Sequence, residues 1–221
     1  MPIDSAEPGS TNLPLLDAIE ARILGALIEK EATTPEAYPL TSNAVVLACN
    51  QKNNREPVLE LEQGAVGHAL RELEHRGLIH AVHGSRAQRY GHRFAQVYSV
   101  TVRQQAVLSV MLLRGPQTMA ELFNRCERLS AFADIDEVRQ TLERLMQRSP
   151  TLVDKLVRGA GQREDRYMHL LCGPIDEATV AAVQREVPGR GAIALEARVQ
   201  ALESQLQSVQ AELQALRLRL P

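Results

Sequence analysis

The chain states one supersecondary unit twice. Pro39, Leu40 and Thr41 return as Pro116, Gln117 and Thr118, and Val66, Leu70 and Leu73 return as Val138, Leu142 and Leu145. Gly84, Arg89, Tyr90 and His92 return as Gly161, Arg166, Tyr167 and His169. The offsets (39 to 116, 66 to 138, 84 to 161) are 77, 72 and 77, so the order of elements holds while the loops differ. A helical period followed by a Gly-tipped basic hairpin, repeated, marks a duplicated unit. Its outline is that of a winged helix-turn-helix, and two in tandem point to binding rather than catalysis.

Local signals place the elements. Asp17 and Glu20 form a capping box for a first helix whose apolar face is Ile19, Ile23, Leu24, Leu27 and Ile28, through about Glu31. Thr41 caps a second helix that ends at the polar tract Asn50 to Pro57. A third runs from Glu62 to Arg76 and stops at Gly77, a residue suited to a left-handed C-terminal position. Leu78, Ile79 and Val82 read as a strand, Gly84 to Arg86 as a turn, and Arg89 to Val100 as the return. The second unit repeats the order: helix Val102 to Arg114, breakers Gly115 and Pro116, a capping box at Thr118 and Glu121, and a third box at Asp134 and Glu137. That last helix ends near Arg148, and a hairpin follows from Leu152 to Leu171.

Beyond Gly173 and Pro174 the chain changes character. A short helix is expected over 176–187, then a hinge at Pro188 to Gly191. Leu195, Val199, Leu202, Leu206, Val209, Leu213, Leu216 and Leu220 then alternate steps of four and three, a heptad seam of about four repeats. With Val199, Leu206, Leu213 and Leu220 at a positions, a parallel dimer pairs Arg198 with Glu203 and Glu212 with Arg217, both opposite in sign. The alternative is that this amphipathic helix lies on its own domain. The expected organisation is a leader over 1–14 without fixed structure, winged-helix domains over 15–100 and 101–173, a short helix and hinge over 174–192, and a coiled-coil helix over 193–221. The fold class is mainly α with small β hairpins.

Composition narrows the function. The balance of 25 basic against 27 acidic residues leaves no overall attraction to phosphate, so any such attraction is local. No Trp, three Phe and four Tyr leave little to stack single-stranded bases on. Cys49, Cys126 and Cys172 are far apart and odd in number, fitting neither a disulfide framework nor a metal knuckle; reduced cytoplasmic thiols are expected. The first residues lack the basic and apolar regions of a signal peptide. The apolar stretch Ala106 to Leu113 is far shorter than the ~20 residues of a membrane span. His75, His80 and His83 lack a Cys or Glu that completes a zinc set, and Gly159 to Gly161 lacks the Lys-Ser/Thr of a phosphate loop. No catalytic residue, metal or cofactor is expected.

The chemistry that remains is basic. Arg86, Arg89 and Arg93 stand in the first hairpin with no acidic residue between His83 and Phe94, which suits phosphate contact or entry into a narrow minor groove. The competing reading is a solvated strand pair whose arginines bridge to nearby carboxylates. Lys52, Asn53, Asn54 and Arg55 precede the third helix, where side chains hold phosphate and set orientation, although Asn is also an ordinary turn former. On that helix His68 and Arg71 face outward, but Glu62, Glu72 and Glu74 oppose the phosphate backbone. The second unit mixes charges throughout, which leaves the first as the nucleic-acid reader.

The run Leu47-Ala48-Cys49-Asn50-Gln51-Lys52-Asn53-Asn54-Arg55-Glu56-Pro57, with Ala69 to Leu73, Arg76 to Leu78 and Arg89 to Phe94, resembles the bacterial YceH family. So does Leu112 to Thr118, and the resemblance covers roughly Leu15 to Gly173. It implies two winged-helix domains in a bacterial cytoplasmic protein and brings no catalytic or binding residues with it. The leading expectation is a non-enzymatic regulatory protein that binds duplex DNA through the first wing and is a homo-oligomer through its C-terminal helix. The rival is a scaffold that binds protein partners, similar in architecture to the tandem winged-helix subunits of chromosome-condensing complexes.

Overall fold

Asp17 and Glu20 open the first helix with the reciprocal bonds of a capping box. In the computed structural model, which describes residues 13–83, 87–156 and 164–176, the Glu20 amide donates to Asp17 Oδ1 at 2.8 Å and the Asp17 amide to Glu20 Oε2 at 2.9 Å. The helix, α1 (Ala18–Thr33), is buried on every side from Glu20 to Ile28. A helix of that kind has packing partners all round, and its own repeat covers only part of it. Thr41 ends strand β1 (Leu40–Thr41) and caps α2 (Ser42–Cys49) by accepting from the Ala44 amide. Helix α3 (Gln63–His75) stops at Gly77, whose φ of 71° requires a residue without Cβ strain. Strands β2 (Ile79–His83) and β3 (Gln88–His92) complete an antiparallel sheet in the order β1-β3-β2.

The return strand is shorter than the sequence suggests. It ends at His92, and Phe94–Tyr98 form α4 instead of continuing as strand to Val100. Phe94 and Tyr98 lie four apart, so a helix turn puts both rings on one buried face with centroids 4.7 Å apart. Tyr98 Oη then donates to Pro14 O at 2.7 Å, and the Leu16 amide donates to Leu171 O. Leu13 packs against the core, so the last two residues of the expected leader have fixed places.

The second repeat is α5 (Val102–Arg114), β4 (Gln117–Thr118), α6 (Met119–Cys126), α7 (Ile135–Met146), β5 (Val153–Leu156) and β6 (Arg166–His169). Its sheet order is β4-β6-β5. Thr118 and Glu121 cap α6 reciprocally, but the box at Asp134 is half formed: the Glu137 carboxylate accepts from the Ala133 amide at 2.9 Å rather than from Asp134. The register repeats with the sequence. Leu40 faces Tyr90 and Thr41 faces Arg89, while Gln117 faces Tyr167 and Thr118 faces Arg166. The chain is thus mainly helical with two small antiparallel sheets, and its described residues belong to one compact unit. Residues 1–12 and 84–86, the tip of the second hairpin, and everything after 176, including the heptads from Leu195 to Leu220, lie outside the described residues.

The free side of α1 is covered by α5, its counterpart. The two cross where Gly25 meets Ser109, each eight residues beyond its helix's N-cap (17 to 25, 101 to 109). Ser109 Oγ donates to Gly25 O at 3.2 Å, and a Cβ on Gly25 would stand 2.9 Å from Leu113 Cγ. Small residues at the crossing let the backbones approach and bury the middle of both helices.

The two buried strand-end histidines are also counterparts. His92 Nε2 lies 2.8 Å from the Glu31 carboxylate, whereas His169, 4% exposed, has no partner for Nδ1 among the described residues. Burial pushes the His169 pKa from 6.5 down to about 4. The unfolded chain therefore takes up this proton first as the pH falls. The stability His169 confers is complete above about 6.5 and is lost progressively down to about 4, by about 3 kcal/mol in all. His169→Leu should flatten that part of the stability curve, read as the difference between wild-type and variant urea midpoints over this range.

Candidate functional site

The polar tract after α2 is a buried tie. Asn50 Nδ2 donates to Leu61 O at 2.9 Å and its Oδ1 accepts from the Leu61 amide at 2.8 Å, closing the loop as a backbone pair would. Asn54 takes a φ of 62°, a conformation Asn tolerates better than most residues. Arg55 then enters the interior with its side chain 0% exposed. Its Nε donates to Ala48 O, Nη1 to Glu29 Oε2 and Asn54 O, and Nη2 to Glu29 Oε1 and Gln51 Oε1. A guanidinium has five N–H donors, and all five are engaged. The expectation that Arg55 holds phosphate is therefore corrected: burial and five internal acceptors leave it nothing to offer a ligand.

Neighbouring groups extend the tie to both repeats. Arg22, also buried, donates from Nη1 to Cys49 O at 3.3 Å and from Nη2 to Pro57 O at 2.7 Å. Burial, and then the charge of Arg55, lower its pKa. The Glu56 amide donates to Leu113 O at 2.8 Å, and Arg114 donates to Asn54 Oδ1. Helices α1, α2 and α5 are joined through this one loop.

Above the tie, a cleft of about 640 Å³ opens between the repeats. Lys52, Asn53 and Asn54 line it, joined by Lys30 of α1 and by Arg114, Arg125 and Arg128 of the second repeat. Five cations thus face two carboxylates, Glu29 and Glu127, and Glu29 is bound bidentately by Arg55. Lys52 and Arg128 are exposed and make no hydrogen bond or ion pair among the described residues. Burial lowers the Arg114 pKa, and the charge of Arg125 lowers it further. Sequence reasoning missed the second repeat's share because it judged that repeat by its third helix and hairpin; the Arg125 and Arg128 spacing on and after α6 was the available signal.

The other expected residues lie elsewhere, since no cleft-lining residue comes from α3 or the first hairpin. His68 and Arg71 are exposed on α3 without a side-chain partner among the described residues, and Arg93 is exposed at the base of the hairpin. Arg86 lies outside the described residues. Arg89 is exposed, and its Nη1 donates to Pro39 O at 2.9 Å and to Ala37 O at 3.4 Å. Its counterpart Arg166 donates to Pro116 O at 3.1 Å, so the repeated arginine is a clip that fastens the first strand of each sheet. Among the described residues no three His, Cys, Asp or Glu side chains gather as metal ligands would, and no helix is long and apolar enough to cross a membrane.

The fold and this buried loop define a mainly helical protein of two duplicated helix-and-hairpin repeats locked by an internal Arg–Glu pair. Residues 16–162 match a family described as a protein of unknown function, DUF480, and the chain belongs to that family. It is similar to a UPF0502 protein of Mesorhizobium japonicum, 50% identical over 192 residues covering 87% of this chain and 91% of the relative. UPF0502 proteins of Xanthomonas oryzae pv. oryzae (55% over 193 residues; 85% and 86%) and Stenotrophomonas maltophilia (56% over 171 residues; 77% and 78%) match in the same way. These relatives place the chain in a bacterial family, as the Cys-Asn-Gln-Lys run suggests.

Removing one member of a buried pair strands the other's charge, so Arg55→Met and Glu29→Gln should each destabilise the fold by on the order of 3 kcal/mol. Arg55→Lys should not rescue it, because an ammonium cannot present a bidentate fork together with three further directed donors. Chemical denaturation of the singles and the double variant measures this. A double variant as unstable as the sum of the singles would show the pair to be uncoupled.

Proposed function

We propose that the protein is a non-enzymatic tandem winged-helix protein that binds duplex DNA through its first repeat in a regulatory role. The order helix, strand, helix, helix, hairpin, with the last strand in the middle of each sheet, supports the winged-helix reading of both repeats. One contrast carries the DNA reading. On the third helix and hairpin of the second repeat, Arg139 pairs with Asp136 at 2.5 Å and Lys155 with Asp165 at 2.6 Å, while Arg144 of α7 is exposed without a pair among the described residues. In the first, Arg71 and Arg93 are exposed and unpaired among the described residues, on the helix and hairpin that a winged helix presents to DNA. The C-terminal heptads and a cytoplasmic setting belong to the same reading.

A scaffold role is the second reading, and it too has an observation in its favour. Leu47, Val58 and Val82 of the first repeat are 63%, 52% and 44% exposed, side chains that suit a protein partner better than a phosphate backbone.

A salt titration of duplex binding separates the two. Replacing Arg71 and Arg93 with Ala should weaken binding and reduce the log–log salt slope by roughly 0.9 for each lost contact, about 1.8 together. Arg89→Ala should act differently, by loosening the β1–β3 pairing and lowering thermal stability. Duplex binding that is undetectable at low salt, together with capture of a protein partner abolished by Leu47→Asp, would replace the DNA reading with the scaffold.

A further inference from the structure

The cleft between the repeats holds more positive charge than the protein itself answers. Its cations come from four separate places: Lys30 near the end of α1, Lys52 in the tied loop, Arg114 at the end of α5, and Arg125 and Arg128 on and after α6. No local helix face or sequence run explains their meeting; the α1–α5 packing and the Arg55 tie bring them together. Of the two carboxylates, Glu29 is already neutralised by Arg55, with Lys30 3.8 Å away, and Glu127 is exposed; outside the lining, Glu121 lies 3.6 Å from Arg125, which leaves Lys52 and Arg128 without a counter-charge among the described residues. Half-buried Arg114 sits beside Arg125 and Arg55, whose charge Glu56 and Glu29 offset only in part. Such crowding is unfavourable without a counter-charge, and the structure provides the tie beneath it that keeps the cations together.

The geometry points to a binding site in this cleft for a small phosphorylated molecule carrying a compact multiple negative charge, of the pyrophosphate type, that bridges the two repeats. The volume of about 640 Å³ falls within the range of small-molecule sites. The unpartnered fork of Arg128, with Arg114 and Arg125 turning to the ligand from Asn54 and Gln117, suits phosphate oxygens, Asn53 and Asn124 can bond hydroxyl or carbonyl groups, and Leu113 and Leu129 give an apolar wall. The lining has no aromatic residue, so base stacking plays no part. A concave site also favours a compact anion over the convex backbone of a duplex, which sets this site apart from the α3 surface assigned to DNA above. A ligand held from both sides of the cleft strengthens the contact between repeats and raises the stability of the folded chain by mass action.

Calorimetric titration of the full chain with inorganic pyrophosphate at low ionic strength tests the site. Wild type should bind one equivalent and unfold at a higher temperature with pyrophosphate present. Lys52→Ala/Arg128→Ala removes two side chains without internal partners, so the unliganded melting temperature should hold while affinity falls about tenfold for each lost charge-assisted contact. Arg71→Ala, a charge outside the cleft, should bind as wild type does. Three results would overturn the site: no binding at millimolar pyrophosphate, an order-of-magnitude ceiling for a specific small-ligand site; equal weakening by Arg71→Ala, which marks general charge attraction; or a silent pyrophosphate titration together with duplex binding that the Lys52/Arg128 variant weakens, which gives the cleft to a nucleic-acid backbone.

Discussion

The buried pair of Arg55 and Glu29 is the constraint around which the molecule is arranged. A guanidinium with no solvent exposure must find acceptors for all its donors inside the protein. It finds them on four residues: Ala48 at the end of α2, Gln51 and Asn54 of its own loop, and Glu29 of α1. Satisfying this one side chain fixes the loop path, the left-handed turn at Asn54 and the seating of α2 against α1. The same loop path presents the Glu56 amide to α5, so a contact within the first repeat also positions the second. Such a pair adds little net stability compared with an apolar equivalent, but it penalises every arrangement that leaves a donor unmet.

Duplication explains why two sheets of only three short strands are viable. In each, the first strand is two residues long, too short to hold its place by ladder bonds alone. Both repeats solve this with the same arginine, 89 or 166, on the carbonyl of the proline just before that strand. The surroundings have diverged around this shared clip. Arg166 also pairs with Glu121 at 2.8 Å, whereas Arg89 has a second carbonyl at Ala37. His80 is wedged so closely against Gly91 that a Cβ there would stand 2.5 Å from its ring, while the corresponding residue of the second repeat is Met168.

Features set by neighbours in the chain were legible in the sequence; features set by distant partners were not. Capping boxes at Asp17 and Thr118, the stop at Gly77 and the repeat itself depend on residues a few positions apart, and the structure places them as read. The turn to helix at Phe94 was missed because a short apolar run fits strand and helix alike, and only burial of the Phe94–Tyr98 pair decides between them. The role of Arg55 was misread for a deeper reason. An arginine in a polar loop has the same sequence signature whether it faces solvent or a carboxylate 26 positions upstream, as Glu29 is to Arg55. The cleft was not legible: Lys52 and Asn53 read as duplex contacts beside α3, and nothing near them in the chain announces Arg125 or Arg128.

The meeting of Gly25 with Ser109 has a consequence for the history of the chain. Corresponding positions of corresponding helices touch, which is the relation that a two-fold axis imposes on the subunits of a symmetric dimer. The covalent link from α4 to α5 thus joins two halves whose contact is already self-complementary. Its contribution is effective concentration rather than geometry. Once the halves share a chain they are free to become unequal, as Gly91 under His80 in one sheet and Met168 in the other already are, so that divergence of detail rests on an inherited symmetry of the interior.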